Sequence, residues 1–170
     1  MIALLAALAA AAPADLVVEG LGKGPLTVTP DAFAKLPPAQ VSIEAHGQAL
    51  ACSGVMLRDL LAAAGAPSGE ELRGPALTGT VTAVARDGYR VTFSLGEIDL
   101  SLGKIPVLVA NRCNGSALGE DGPYRLLVGG ETRPARSARM LDRLVVSMPD
   151  GGAAPAHEHG TAQAHPRQKN

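Results

Sequence analysis

Short runs in which apolar and polar residues alternate recur along the chain, with turn-forming residues between them. Residues 41–45 set Val41, Ile43 and Ala45 against polar neighbours, which is the period of a half-buried strand. Asp87-Gly88 separates two further runs and is a strong hairpin signal. These patterns predict a chain built mainly from short strands.

Residues 105–112 are nearly all apolar up to Asn111, which predicts a strand in the middle of a sheet, buried on both faces. Further β-type runs occupy residues 16–20, 25–30, 124–130 and 140–148. Asn114 and Gly115 then predict a turn directly after the central strand.

One longer segment, residues 53–67, has the period of a helix. Its apolar residues at helical spacing are Leu57, Leu60, Leu61 and Ala64. Ser53 is available as a cap near the start and Gly65 as a stop. A short helical turn is also predicted to begin at Pro30. Many short strands with one main helix predict an α+β fold, a β-rich single domain with mixed sheets.

The two ends of the chain differ in composition from the middle. Residues 1–14 are rich in Leu and Ala and end in a small-x-small pattern, which predicts a signal peptide; the alternatives are a buried helix or a misassigned start. Residues 149–170 are predicted to be a disordered, His-containing tail. The folded domain is then 15–148, and we expect a periplasmic or secreted protein with no stable membrane insertion after signal cleavage.

Charge and motifs narrow the possible functions. A formal net charge of −1 gives no support for a nucleic-acid partner. The absence of G-x-S-x-G, H-E-x-x-H, Walker and C-x-x-C patterns makes hydrolase and nucleotide-binding functions poor candidates. The tail residues His157, His159 and His165 could bind a transition metal weakly, but a solvated tail is the favoured interpretation and no metal site is predicted.

The two cysteines leave two alternatives open. In an oxidising compartment Cys52 and Cys113 could form a disulfide, or they could be two separate buried or reactive thiols. A disulfide requires the two Cα atoms to lie within bridging distance of each other.

Residues 122–141 hold four arginines in twenty positions of a chain that is otherwise close to neutral. They are Arg125, Arg133, Arg136 and Arg139. Forked guanidinium groups next to Ser137 and glycine backbone are suited to a bidentate grip on phosphate oxygens. The alternative is a solvated or protein-binding face.

The order of five segments resembles the oxidoreductase molybdopterin-binding domain of the sulfite oxidase family, especially its small bacterial members. The segments are SGVMLRDLLAAAG, DGYRVTFSLGEID, IPVLVANR, GPYRLLV and ARSARML. The resemblance covers residues 40–146. It implies a sulfite oxidase molybdopterin-domain-like fold, molybdopterin as a possible cofactor, and redox transfer with a redox partner protein.

The resemblance also implies a cofactor site. In the family, the segments similar to GPYRLLV and ARSARML contribute to the pocket for the phosphate and polar edge of the pterin. The residues at those positions here are Arg125, Arg136, Ser137 and Arg139. We expect Arg125 and Arg136 to converge on one concave, electropositive site and Arg133 to point to solvent. Glu120 falls where larger members have Asn or His.

The metal-binding position differs from the family. Catalytic members ligate molybdenum through a cysteine thiolate on the strand that VSIEAHG resembles, and residues 41–47 contain none; Ser42 or Ala45 stands there. The first hypothesis is therefore a periplasmic molybdopterin-binding oxidoreductase-like domain without the molybdenum-ligating cysteine, its catalytic residues unassigned. The alternative is a non-catalytic binding or accessory module that retains the fold. A metal-handling protein that uses the tail histidines ranks below both.

Overall fold

The computed structural model describes residues 15–45 and 47–149. Within them the strands are β1 (Leu16–Glu19), β2 (Leu26–Val28), β3 (Pro38–Ala45), β4 (Gln48–Met56), β5 (Thr80–Ala85), β6 (Arg90–Ser94), β7 (Val107–Cys113), β8 (Ser116–Ala117), β9 (Arg125–Val128) and β10 (Leu141–Ser147). The helices are α1 (Pro30–Ala34), α2 (Leu57–Ala64) and α3 (Leu95–Ile98). Short 3₁₀ turns connect several of these elements.

The strands form two sheets. The first has the order β2-β1-β10-β5-β6, in which β1 and β10 are parallel and the other pairs are antiparallel. In the second, β3 pairs with β4 and β4 with β7, and the other edge of β7 pairs with both β9 and β8, all antiparallel. Two strand-rich sheets with few helices confirm the predicted β-rich α+β class.

Two hydrophobic cores meet at β7. Val107 and Val109 pack into the main core, to which both sheets contribute. The alternating residues Leu108 and Ala110 pack into a smaller core on the opposite face. All four side chains are at most 1% exposed. The predicted central strand, buried on both faces, is confirmed.

Helix α2 is the main helix, as predicted, but it begins later than expected. It buries Leu57, Leu60 and Leu61 and ends at Gly65, whose φ of 96° gives the left-handed cap expected of glycine there. Ser53 is not its cap, because β4 continues through Met56, which caps the helix without a side-chain hydrogen bond. The pairing of residues 52–56 with β7 overrides the local capping preference of Ser53.

Both predicted turns form. Gly88 has a φ of 86°, and the Asp87 carboxylate accepts a hydrogen bond from the Tyr89 backbone N–H at 2.9 Å within the turn between β5 and β6. Asn114 and Gly115 also have positive φ values, 49° and 77°. Their turn leads into β8, a two-residue strand that the sequence pattern did not predict.

The predicted signal peptide, residues 1–14, lies outside the described residues. So do His46 and the predicted tail from residue 150 onward, including its three histidines. Over residues 15–45 and 47–149, no helix is both long enough and apolar enough to cross a membrane.

Candidate functional site

A cavity of about 390 Å³ lies where the start of β4, the turn after β7 and residues 133–139, the arginine segment, meet. Its polar and charged lining residues are Gln48, Asn114, Asp121, Arg125, Ser137 and Arg139. The volume is within the range of small-molecule sites, about 300–1,000 Å³. Three of the four residues predicted for the cofactor site therefore line one concavity.

Backbone pairing places these three residues together. The Leu126 N–H donates to the Ala138 carbonyl at 2.7 Å, and the Ala138 N–H returns a bond of 3.0 Å to the Leu126 carbonyl. Ala138 is 1% exposed, so this part of the arginine segment is fixed in the core beside β9. Arg125, Ser137 and Arg139, the neighbours of this pair, are thereby held at the same wall of the cavity.

Asp121 is the carboxylate of the site. Its Oδ2 accepts a hydrogen bond from Arg125 Nη1 at 3.0 Å, and its Oδ1 lies 3.5 Å from Arg139 Nη1. One carboxylate therefore pairs with both arginines of the cavity. The three formal charges, two positive and one negative, sum to +1.

Arg125 is the more enclosed of the two arginines. Its side chain is 17% exposed, against 65% for Arg139. Burial lowers the pKa of the Arg125 guanidinium, and the nearby Asp121 carboxylate opposes that shift. Within the described part of the chain the Arg125 Nε is buried without a hydrogen-bond partner. The residue is therefore a cation that is only partly satisfied by protein groups.

Two neutral side chains add hydrogen-bond donors. Asn114 Oδ1 accepts from the Ala51 backbone N–H at 3.1 Å, so the amide nitrogen of Asn114 remains as a donor. Ser137 Oγ accepts from the Val128 N–H at 3.1 Å, and its hydroxyl still carries a proton to donate. With the two arginines, these groups form a site rich in donors.

Arg136 does not join this site, and its expected convergence with Arg125 is wrong. Its Nη1 donates to Glu97 at 2.8 Å, its Nε donates to Glu131 at 2.6 Å, and its guanidinium lies 4.9 Å from the centroid of the Phe93 ring. The hydrogen bond to Glu97 raises the pKa of Arg136. Two carboxylates and an aromatic ring hold this side chain away from the cavity.

Two further expectations concern exposed side chains. Arg133 is exposed, as predicted. Glu120, at the position where larger family members carry Asn or His, is also exposed and does not line the cavity. The next residue, Asp121, supplies the carboxylate instead. Asp121 was not among the residues predicted for the site, although its spacing of four from Arg125 was a usable signal.

The two cysteines form a disulfide between paired positions of β4 and β7. The alternative of two separate thiols is thereby excluded. The bridge lies beside the cavity wall, because the lining residue Asn114 directly follows Cys113. The Asn114 backbone N–H also donates to the carbonyl of Ala51, the neighbour of Cys52, at 2.7 Å. In the described ranges no group of three or more His, Cys, Asp or Glu residues is arranged to hold a metal ion.

A second cavity of about 280 Å³ lies beside α2 and contains the buried carboxylate of Asp99. The Asp99 Oδ2 accepts a hydrogen bond from the Gly69 N–H at 2.8 Å, and the Asp99 Oδ1 accepts one from the Ser101 N–H at 2.7 Å. These hydrogen bonds, that from Gly69 foremost, lower the pKa of Asp99. Asp99 holds two loops together, and we assign this cavity a structural role.

Comparisons with known proteins identify the fold. No protein-family model matches the sequence, and no curated protein matches it. Among solved structures, the chain is similar to the sulfane dehydrogenase SoxCD from Paracoccus pantotrophus, with a TM-score of 0.59 and 21% sequence identity over 78% of this chain. This chain spans only 38% of the length of that one. The similarity supports the fold predicted from the sequence, that of the sulfite oxidase molybdopterin domain.

Proposed function

We propose that this chain is a binding domain with a sulfite-oxidase-type fold that holds a small anionic ligand in the cavity at Arg125. The observation that carries the proposal is the grouping of Arg125, Arg139, Asn114 and Ser137 around one space of about 390 Å³. The lining carries a net charge of +1 and several donors, and charge-assisted hydrogen bonds from arginine are among the strongest that proteins make.

The donor set does not fit a molybdenum centre of the family's kind. That centre needs a soft thiolate ligand, and the protein has only two cysteines, both of which are in the disulfide. The strand segment at 41–47 supplies no cysteine either. We therefore assign this chain no redox step at a metal, and we favour the binding-module hypothesis over the oxidoreductase.

A second candidate function is a molybdopterin-binding oxidoreductase-like domain that uses a redox partner protein. Its support is the similarity to SoxCD, a sulfane dehydrogenase by name. The cavity supports this function less well than it supports the binding domain, because one of the predicted phosphate ligands, Arg136, forms ion pairs with Glu97 and Glu131. Asp121 is also placed where it would repel a phosphate.

We further propose that the domain works in the periplasm or outside the cell. The disulfide between Cys52 and Cys113 supports this location, because disulfides persist in oxidising compartments and are rare in the cytosol of mesophiles. The apolar character of residues 1–14 in the sequence agrees with export.

The two functions are separated by analysing protein produced in cells that make molybdopterin and export the chain. Metal analysis, fluorescence of oxidised pterin and titration of free thiols are measured on the same sample. The binding domain predicts no stoichiometric molybdenum and no free thiol. Equimolar molybdenum and pterin that survive gel filtration would establish the oxidoreductase-like domain instead.

A further inference from the structure

We propose that Asp121 makes the cavity at Arg125 selective for singly charged over doubly charged anions; this inference rests on the proposed function. The charged residues that line the cavity are Asp121, Arg125 and Arg139. Their sum is two positive charges less one negative, or +1. A monoanion neutralises that charge, whereas a dianion leaves an excess negative charge beside the Asp121 carboxylate.

The carboxylate is held in place from both sides. The Asp121 backbone N–H donates to the Leu118 carbonyl at 3.2 Å, and the Asp121 backbone carbonyl accepts from the Met140 N–H at 2.8 Å. Its two oxygens face different arginines, at 3.0 Å from Arg125 and 3.5 Å from Arg139. An anion that displaced Asp121 would have to replace both pairings, so Asp121 stays and contributes its charge to selectivity.

The ligand class follows from the remaining donors. Arg125 is four-fifths buried and already hydrogen-bonded to Asp121, so only some of its guanidinium N–H groups can donate to an incoming anion. Arg139, Asn114 and Ser137 supply the other donors. Three or four donors around a net charge of +1 fit a sulfonate or carboxylate group, and they fit a dianionic phosphate ester poorly.

The test compares methanesulfonate and sulfate, which both have a tetrahedral sulfur with three or four oxygens but carry one and two negative charges. Their affinities are measured by calorimetry for the wild-type chain, Asp121→Asn and Asp142→Asn. Asp142 is a matched control, because its side chain is 41% exposed near Arg86 and Arg143, it does not line the cavity, and its change removes the same charge. Thermal melting confirms that each variant is folded.

We expect Asp121→Asn to raise the ratio of sulfate to methanesulfonate affinity by about tenfold or more. The negative charge of Asp121 repels a dianion twice as strongly as it repels a monoanion. The Asp142 variant should leave the ratio unchanged. If Asp121→Asn does not fold, Arg139→Gln gives the converse test: Arg139 is 65% exposed, and its loss should lower the ratio.

Binding of both anions with the same ratio in wild type, Asp121→Asn and Arg139→Gln would overturn the selectivity inference and leave the proposed function standing. Binding of neither anion to any of these chains would overturn the proposed function, and this inference with it.

Discussion

Arg136 and Glu97 are 39 positions apart in the sequence, yet the Nη1 of Arg136 donates to Glu97 Oε1 at 2.8 Å. Glu97 also closes a capping box with Ser94 at the start of α3, since its side chain accepts from the Ser94 backbone N–H at 2.9 Å. The contact therefore ties the arginine segment to the start of α3, which is distant from it in sequence.

Replacing Arg136 with Ala should reduce the free energy of unfolding by about 1 kcal/mol, because the ion pairs are partly exposed and the stacking on Phe93 adds little more. The affinity for methanesulfonate should not change. Urea unfolding and calorimetry measure the two effects. If Arg136→Ala instead weakens methanesulfonate as strongly as Arg125→Ala does, the separation of Arg136 from the site is wrong.

Part of this arrangement could be predicted from the sequence. The Asp87-Gly88 hairpin and the buried strand at 107–110 depend on local turn chemistry and local apolar pattern, so the sequence carries them directly. Ser53 is not a helix cap because its strand pairs with a segment some sixty residues away. The local pattern of residues around Ser53 does not contain that pairing.

The candidate site was predicted only in part for a similar reason. Arg125, Ser137 and Arg139 line one cavity because backbone hydrogen bonds join β9 to the arginine segment, and their role as cofactor ligands stays a prediction. Arg136 was misassigned because its partner Glu97 comes from a distant helix. Whether an arginine faces a cavity or a carboxylate depends on tertiary placement, which the spacing of three between arginines does not determine.

The disulfide should stabilise the domain by about 2–4 kcal/mol, mainly by restricting the unfolded chain between positions 61 residues apart. Urea unfolding of the wild type and the Cys52→Ala, Cys113→Ala double variant measures the difference. Non-reducing mass spectrometry of exported protein should find no alkylatable thiol. Two alkylatable cysteines in that sample would contradict both the bridge and the proposed location.

Gly54 should tolerate no side chain. A Cβ built there would lie 2.0 Å from the Val109 carbonyl oxygen and 2.7 Å from Ala110 Cα, both backbone atoms of β7. We expect Gly54→Ala to reduce the free energy of unfolding by about 3 kcal/mol or to prevent folding. Gly115→Ala is the control, since its Cβ would meet nothing within 4 Å and only the φ of 77° opposes it, costing about 1 kcal/mol. Equal losses in the two variants would argue against the close approach of β4 and β7.

The domain should lose stability in acid, partly through Asp99. Hydrogen bonds from Gly69 and Ser101 lower the pKa of Asp99 below its usual value of 3.8, so its contribution is complete above that pH and is lost as the pH falls through the lower folded value. The pKa of Glu97 is also lowered, because hydrogen bonds from Arg136 and Ser94 outweigh the effect of burial.

The free energy of unfolding should accordingly fall as the pH drops below about 4, and less steeply in Asp99→Asn than in the wild type. Urea titrations at a series of pH values provide the measurement. Identical slopes for the two proteins would show that the Asp99 carboxylate is not stabilised in the folded state.

Binding of a small anion in the cavity at Arg125 can be observed by titrating isotope-labelled protein with methanesulfonate and following the backbone amide resonances. We expect saturable shifts concentrated at residues 48–50, 114, 125 and 137–139, with affinity reduced about tenfold in Arg125→Ala and unchanged in Arg133→Ala. Shifts centred on Glu97, Glu131 and Arg136, or no saturable shifts at all, would contradict it.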